Sequence, residues 1–289
     1  MRTPALTLLL VTGSLCAACR PPAAPHPEAA TAPEASTCAE STGGNEPRYM
    51  PTIGQAGKDV VWVPTSSALI ERMFEMARLT TDDYLVDLGS GDGITVIMAA
   101  KRGTRALGVE YNADLVDLAR RTAEAEGLSD LARFIQADIF KTDFSKATVV
   151  TLFLLPELNL RLRPTLLAMA PGTRVVSNTF DMGDWLPDEV AEVGEDCVRY
   201  CVAYHWVVPA DLSGRWQTDD GPLVLRQTYQ LLEGTLGSGR HARTVSEGRI
   251  LGTRVRFEIG GDVHEAELVE GELRGEVNRT RPWSARRLR

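Results

Sequence analysis

Val86-Asp87-Leu88-Gly89-Ser90-Gly91-Asp92-Gly93 decides the fold. An apolar run over residues 84–88 stops in three glycines at alternate positions, and helix-like sequence begins at Ile94. A strand, a glycine turn and a helix make a nucleotide-type cofactor site, because backbone N–H groups and a helix N-terminus converge on the ligand. Glycine serves where the backbone must turn sharply and let a ligand come closer than a Cβ permits.

Spacing and charge select the ligand. Dinucleotide turns carry G-x-G-x-x-G, whereas this turn is G-x-G-x-G, with Ile94 where that pattern has its third glycine. Asp87 and Asp92 flank the loop with no Lys or Arg in it, so a pyrophosphate there would be repelled. The Gly-Lys-Ser/Thr ending of a phosphate-binding loop is missing as well. An acidic glycine loop suits a nucleoside that carries cations. S-adenosylmethionine, with its sulfonium, ammonium and ribose, fits better than NAD or ATP.

A second acid is expected about 20 residues on, at the end of the next strand, where it accepts hydrogen bonds from ribose hydroxyls. Glu110 stands there, closing the run Ala106-Leu107-Gly108-Val109, and the following run, residues 132–137, delivers Asp138 at its own end. At these residues the chain resembles the class I S-adenosylmethionine-dependent methyltransferases. Asp87-x-Gly89-x-Gly91-x-Gly93 matches the glycine motif, Glu110 the ribose-binding acid, and Ala137-Asp138-Ile139 the segment beside adenine. Trp62-Val63-Pro64-Thr65 matches the segment that covers the methionine end of the cofactor. The resemblance implies an α/β fold with a doubly wound, seven-stranded Rossmann-like sheet. It also implies cofactor contacts from Pro64, Thr65, Asp87, Gly89, Ser90, Gly91, Gly93, Glu110, Tyr111, Asp138 and Ile139, with no metal required.

Residues 148–159 read as the fourth strand and its exit loop, which in an open α/β sheet faces the ligand. The loop offers Leu155-Pro156-Glu157-Leu158 where amine-methylating DNA enzymes hold an acidic or amide residue, two prolines and an aromatic. The same loop, with residues 171–177 and Asp184-Trp185, is similar to a group containing membrane-anchored protein-lysine methyltransferases. That similarity implies a protein lysine as acceptor, although the group often has Arg where this chain has Ile94. Glu157 and Asn159 are candidates for holding the acceptor amine, followed by Asp181 and Asp184. Glu157 reads equally as a first-turn acid favouring the dipole of a helix over 158–169, and Asp184-Trp185 as a packed turn.

The chain begins with one positive charge, an apolar stretch over residues 5–15 too short to span a bilayer, and Leu15-Cys16-Ala17-Ala18-Cys19, which resembles a bacterial lipobox. Residues 1–19 therefore read as an export signal with Cys19 as the lipidated residue, placing the protein on the periplasmic side of a bacterial envelope. Translation from Met50 would instead leave a cytoplasmic enzyme with every motif intact. Residues 20–47 are rich in Pro, Ala, Glu, Ser and Thr, a composition that forms no core and reads as a disordered tether. Five cysteines are too few for a disulfide scaffold. Cys197 and Cys201 are four apart, a spacing that a helix could bridge and a strand could not, and with only His205 near them they are expected as buried thiols rather than zinc ligands. The formal charge is −8, a poor surface for nucleic acid, and the basic residues over 279–289 read as a solvated tail.

Residues 48–209 are assigned to the methyltransferase domain, with an antiparallel hairpin over 192–209 ending its sheet. Residues 210–289 are assigned to a small all-β module. Turn signals at Asp220-Gly221, 237–239, 260–262 and Glu270-Gly271 separate short alternating runs, the pattern of an antiparallel meander or small barrel. At this size it is expected to pack or dock substrate rather than enclose a ligand. Three functions stay open: a methyltransferase acting on a protein, one acting on a small molecule, and an exported, degenerate relative that binds a partner. Export leaves no obvious supply of a cytosolic cofactor, which favours the last. The retained set Asp87, Gly89, Gly91, Gly93, Glu110 and Asp138 favours the enzymes.

Overall fold

Each apolar run that ends in glycine or acid becomes a parallel strand. The structure is a computed structural model that describes residues 49–194 and 197–288. The export signal, Cys19 and the tether therefore lie outside the described residues. Helix α1 (Ser67–Ala77) leads into β1 (Tyr84–Leu88), followed by α2 (Ile94–Lys101), β2 (Arg105–Glu110), α3 (Ala113–Ala125), β3 (Ala132–Gln136), β4 (Val149–Leu152), α4 (Pro156–Leu167) and β5 (Arg174–Asn178). Two further strands, β6 (Glu189–Glu192) and β7 (Val202–Val207), complete a sheet of order β3-β2-β1-β4-β5-β7-β6. In this sheet β7 alone runs against the direction of the other six strands. The order reverses between β1 and β4, and ligands of open α/β sheets bind at such a switch point.

Both faces of the sheet are buried, so its strands are almost continuously apolar. Leu85, Val149 and Val176 point to the face covered by α1, α2 and α3. Their neighbours Val86, Val150 and Val175 point to the other, against Leu162 and Leu166 of α4 and against Trp185 and Trp206. Helix α4 starts at Pro156, earlier than the run over 158–169 suggests, because proline lacks the N–H that the first turn leaves unpaired. Strand β6 likewise begins before the expected hairpin, at the sheet edge, where three of its four residues are exposed and leave little alternation to read.

The C-terminal module is a closed eight-stranded antiparallel barrel: β8 (Gly214–Thr218), β9 (Gly221–Thr228), β10 (Leu231–Leu236), β11 (Arg243–Leu251), β12 (Arg254–Ile259), β13 (Asp262–Val269), β14 (Glu272–Val277) and β15 (Arg281–Arg287). Inward-facing side chains, including Trp216, Phe257, Leu273 and Trp283, fill its interior. At Gly275 a Cβ would stand 2.0 Å from the Glu265 carbonyl oxygen across the β13–β14 pair, so no side chain fits there. The closing strand corrects the expectation of a solvated basic tail. In β15, Trp283 and Ala285 face inward while the arginines are exposed, and Arg287, at the end of the strand, pairs with Trp216 of β8 and lies over its ring. The alternation is present in the sequence, but only two apolar residues carry it.

A second correction concerns the cysteines. Cys197 and Cys201 are joined by a disulfide, with Cα atoms 5.7 Å apart, inside the range such a bond requires. They sit in a loop, half-buried, rather than in a helix or strand. The backbone turns back through a left-handed residue, Tyr200 at φ 61°, which brings the two sulfurs together.

The barrel leans on the β5–β6 connection. Arg249 pairs with Asp188 at 2.7 Å, and Gln230 Nε2 donates to the Leu186 carbonyl at 2.5 Å. Asp188 also accepts from the Val207 backbone N–H at 2.8 Å, so one carboxylate ties barrel, connection and sheet together. Among the described residues no helix is long and apolar enough to cross a membrane.

Candidate active site

Strands β1, β2 and β4 end at one edge of the sheet around a cavity of about 490 Å³, within the size range of small-molecule sites. The glycine turn forms its floor, with Asp87, Gly89, Ser90 and Gly91 on the wall. Glu110 and Tyr111 follow from the end of β2, Asp138 and Ile139 from the loop after β3, and Pro64 and Thr65 from the segment before α1. Gly93 is not on the wall. It caps α2 at φ 84°, and a Cβ there would stand 2.7 Å from Ala119 and Phe134, so its role is close packing of the helix. At Gly91 (φ 53°) a Cβ would stand 2.8 Å from the Trp62 indole nitrogen, which shows how closely the preceding segment covers the turn.

The carboxylates are held in different ways. Glu110 accepts from three backbone N–H groups: Gly91 at 2.9 Å, Tyr111 at 2.8 Å and Asn112 at 2.9 Å. It thereby fixes the glycine turn to the end of β2. Burial pushes the Asp87 carboxyl up to about 7, against a 2.6 Å hydrogen bond from the Thr151 hydroxyl that favours its charge, and repulsion from Glu110 and Asp92 adds to the rise. Burial also raises Asp92. A buried, partly protonated acid beside two others favours a ligand that brings positive charge. Ser90 lies on the same wall, and its buried Oγ has no partner among the described residues. A polar ligand satisfies such an atom.

Asp138 has a partner that its motif does not announce. Lys58 Nζ lies 2.9 Å from its carboxylate and 4.7 Å from the centre of the Tyr111 ring. The hydrogen bond from Lys58 holds Asp138 below the usual carboxylate range. Residues 54–62 form a small turn-back over the cavity, closed by the Gly54 N–H to Trp62 carbonyl bond at 2.9 Å and the Trp62 N–H to Gln55 carbonyl bond at 3.0 Å. Lys58 pins that segment to the Asp138 and Tyr111 side of the cavity.

The residues expected to hold the acceptor lie off the cavity wall. Glu157, Asn159 and Asp184 are not on the cavity wall. Glu157 is exposed in the first turn of α4, where an acid favours the helix dipole. Asn159 is fully buried, and its Nδ2 donates to the Phe180 carbonyl at 3.1 Å and the Asp181 carbonyl at 3.2 Å. It fixes the turn after β5. Asp184 is mostly exposed, ion-paired with Arg163 and accepting from the Tyr229 hydroxyl of the barrel at 3.0 Å. The Tyr229 hydrogen bond and then Arg163 hold its carboxyl below the usual range. The wall is made instead by Leu155 and Phe153 after β4, Asn178 and Phe180 at the end of β5, and Tyr200 before β7. The only advance sign of these residues was the rule that strand ends face the ligand.

Comparison with known proteins agrees with this geometry. The family model of the ANTKMT methyltransferase domain matches residues 87–189, which leaves the barrel outside it. A protein-lysine N-methyltransferase of Saccharolobus islandicus is 40% identical over 152 residues, covering 52% of this chain and 94% of that protein. A human lysine N-methyltransferase named for an ATP synthase component is 35% identical over 162 residues, 51% of this chain and 69% of that protein. A crystal structure described as an RNA methyltransferase from Salinibacter ruber, in complex with S-adenosyl-L-homocysteine, is 45% identical over 52% of this chain and 96% of that one, with a TM-score of 0.49. The chain belongs to the class I S-adenosylmethionine-dependent methyltransferases, in the family of these lysine methyltransferases. Its cofactor is S-adenosylmethionine.

Proposed function

We propose that this protein transfers a methyl group from S-adenosylmethionine to a lysine amine of another protein, by in-line displacement. The observation that carries the reading is the acceptor wall. Phe153, Leu155, Phe180, Tyr200 and Asn178 border the cavity there, with no carboxylate or histidine among them. S-adenosylmethionine supplies a methyl carbon already activated by a sulfonium leaving group. What the protein adds is position, exclusion of water and control of the amine proton. A lysine amine with a reference pKa of about 10.4 must be neutral to attack, and an apolar wall lowers that pKa by desolvation. The buried Asn178 side-chain oxygen, which already accepts from the Thr179 hydroxyl at 2.8 Å, is one polar atom on that wall suited to orient an amine.

On the cofactor side Glu110 is the acceptor for the ribose hydroxyls, Ser90 and the glycine turn border the ribose and methionine, and Asp87 faces the positive charge. Pro64 and Thr65 cover the methionine end, while Asp138, Ile139 and Tyr111 surround adenine. Leu155 and Val61, both exposed and both on the cavity border, favour an acceptor lysine flanked by apolar residues.

The test is transfer of labelled methyl into separated protein, RNA and small-molecule fractions of an envelope extract, followed by mapping of the labelled site. Label on a protein lysine is expected. Label recovered in RNA or in a metabolite would replace this reading. Export and lipidation at Cys19 belong to the same proposal. They are supported by the lipobox-like sequence and by the Cys197–Cys201 disulfide, since such bonds persist in oxidising compartments. Fractionation with a C-terminal tag tests both, and a cytosolic product without a lipid shift would sink them.

A further inference from the structure

Tyr200 is held against the acceptor wall by a covalent ring. Its side chain meets Phe153 edge-on with centroids 5.3 Å apart, and Phe180 lies 6.4 Å from Tyr200 and 6.2 Å from Phe153. The three rings thus make a triangle on the cavity border, contributed by the exits of β4 and β5 and by the loop before β7. Two of the three corners depend on left-handed backbone: Tyr200 at φ 61° and Thr179, next to Phe180, at φ 63°. Residues with side chains adopt that region rarely, and they persist there only when the surroundings over-determine it.

For Phe180 the surroundings are hydrogen bonds. The Ser177 hydroxyl donates to the Phe180 carbonyl at 2.6 Å, and Asn159 donates to the same oxygen. For Tyr200 the constraint is the Cys197–Cys201 disulfide, which closes a ring of five residues with Tyr200 inside it. Cys201 is anchored in turn, its carbonyl accepting from the Val193 N–H at 2.9 Å.

We propose that Tyr200 is a specificity-determining residue for the acceptor and that the disulfide is the positioning device for its ring. The three aromatic faces take the aliphatic stem of a lysine and exclude water from its amine. The proposal rests on the lysine reading above. When the disulfide is opened, Tyr200 is no longer confined to its left-handed conformation, the triangle loses a corner, and acceptor binding weakens while cofactor binding does not.

The test uses the full chain with a lysine-centred pentapeptide as acceptor and labelled S-adenosylmethionine. A dithiol delivers two electrons and two protons, opening the S–S bond to two thiols and closing to its own disulfide. The oxidised wild type, the dithiol-treated wild type, and the variants Cys197→Ser/Cys201→Ser, Tyr200→Ala and Tyr200→Phe are compared. KM for the peptide is expected to rise about tenfold in Tyr200→Ala and about fivefold on reduction or in the double serine variant, with kcat changed less than about threefold. Tyr200→Phe, which keeps the ring, recovers most of the peptide affinity that Tyr200→Ala loses, and affinity for S-adenosylhomocysteine is the same throughout.

A second readout does not depend on the acceptor. In protein labelled with 3-fluorotyrosine, the Tyr200 fluorine signal, assigned by its loss in Tyr200→Phe, is expected to shift on reduction. A signal that stays put, or an unchanged peptide KM in the reduced enzyme, overturns the proposal alone. A signal that shifts while no lysine peptide is methylated overturns the lysine reading, and the proposal with it.

Discussion

The sheet and the barrel use alternation to opposite ends. In the barrel, inward positions fill their own interior with Trp216, Phe257 and Trp283, and outward positions carry charge. In the seven-stranded sheet both faces are covered, so polar groups collect where the strands stop: Asp87 near the end of β1 and Ser90 just after it, Glu110 at the end of β2, Asn178 at the end of β5. Chemistry therefore sits at the edge of the sheet. The barrel contacts the sheet domain through its outer surface, holding the β5–β6 connection whose first residues line the cavity. The connection runs from Phe180 on the cavity to Asp184, Leu186 and Asp188 against the barrel. We propose that one half of the molecule binds and the other supports.

The largest expected effect lies at the sheet edge. Gly91→Arg puts a side chain into left-handed backbone 2.8 Å from Trp62 and should abolish cofactor binding in calorimetry while circular dichroism keeps its native form. Glu110→Ala removes the acceptor of three backbone N–H groups, and affinity should fall about 10- to 100-fold, at roughly 1.5–3 kcal/mol for bonds to a charged group. In the barrel, Trp216→Ala should cost about 3–5 kcal/mol of folding stability and leave cofactor affinity unchanged. If the cofactor weakens equally there, the division between a binding half and a supporting half is broken.

A smaller effect is expected with pH. Because the folded Asp87 pKa is raised to about 7, the free fold binds protons that the unfolded chain has released, and it loses stability as pH rises from about 4 to 7. A cationic ligand favours the ionised form. Its affinity should therefore climb with pH by at most about tenfold per unit below 7 and level off above it. Melting curves with and without S-adenosylmethionine should accordingly separate as pH rises over that interval. His205 works the other way. Burial lowers its pKa, so its contribution is complete above about 6.5 and is lost as pH falls below that value.

The smallest effect is at the junction. Asp184→Ala should raise the acceptor KM about two- to threefold and leave cofactor affinity alone, the signature of a group that positions the wall rather than touching substrate. An equal loss in kcat with KM unchanged would return Asp184 to the reacting atoms.

Legibility follows the same division. The cofactor side could be read because, apart from Pro64 and Thr65, its expected residues sit at or just after the end of one apolar run that a glycine or an acid announces. The acceptor wall could not, since Phe153, Phe180 and Tyr200 meet only when β4, β5 and β7 lie side by side. Asp184 looked like a site residue because its partner Tyr229 is 45 positions away, and Lys58 drew no notice because its partner is 80 positions away. The disulfide was missed because a four-residue spacing can be bridged on a helix but not along a strand, whereas these cysteines lie in a loop that closes through a left-handed residue, Tyr200, which sequence does not mark.

The central claim is that the carboxylate-ended edge of the sheet holds S-adenosylmethionine. Calorimetric titration of S-adenosylmethionine and S-adenosylhomocysteine into the full chain, with NAD as control, tests it most directly. Micromolar binding of the first two and none of NAD is expected; binding of NAD alone, or of none of the three, would contradict it.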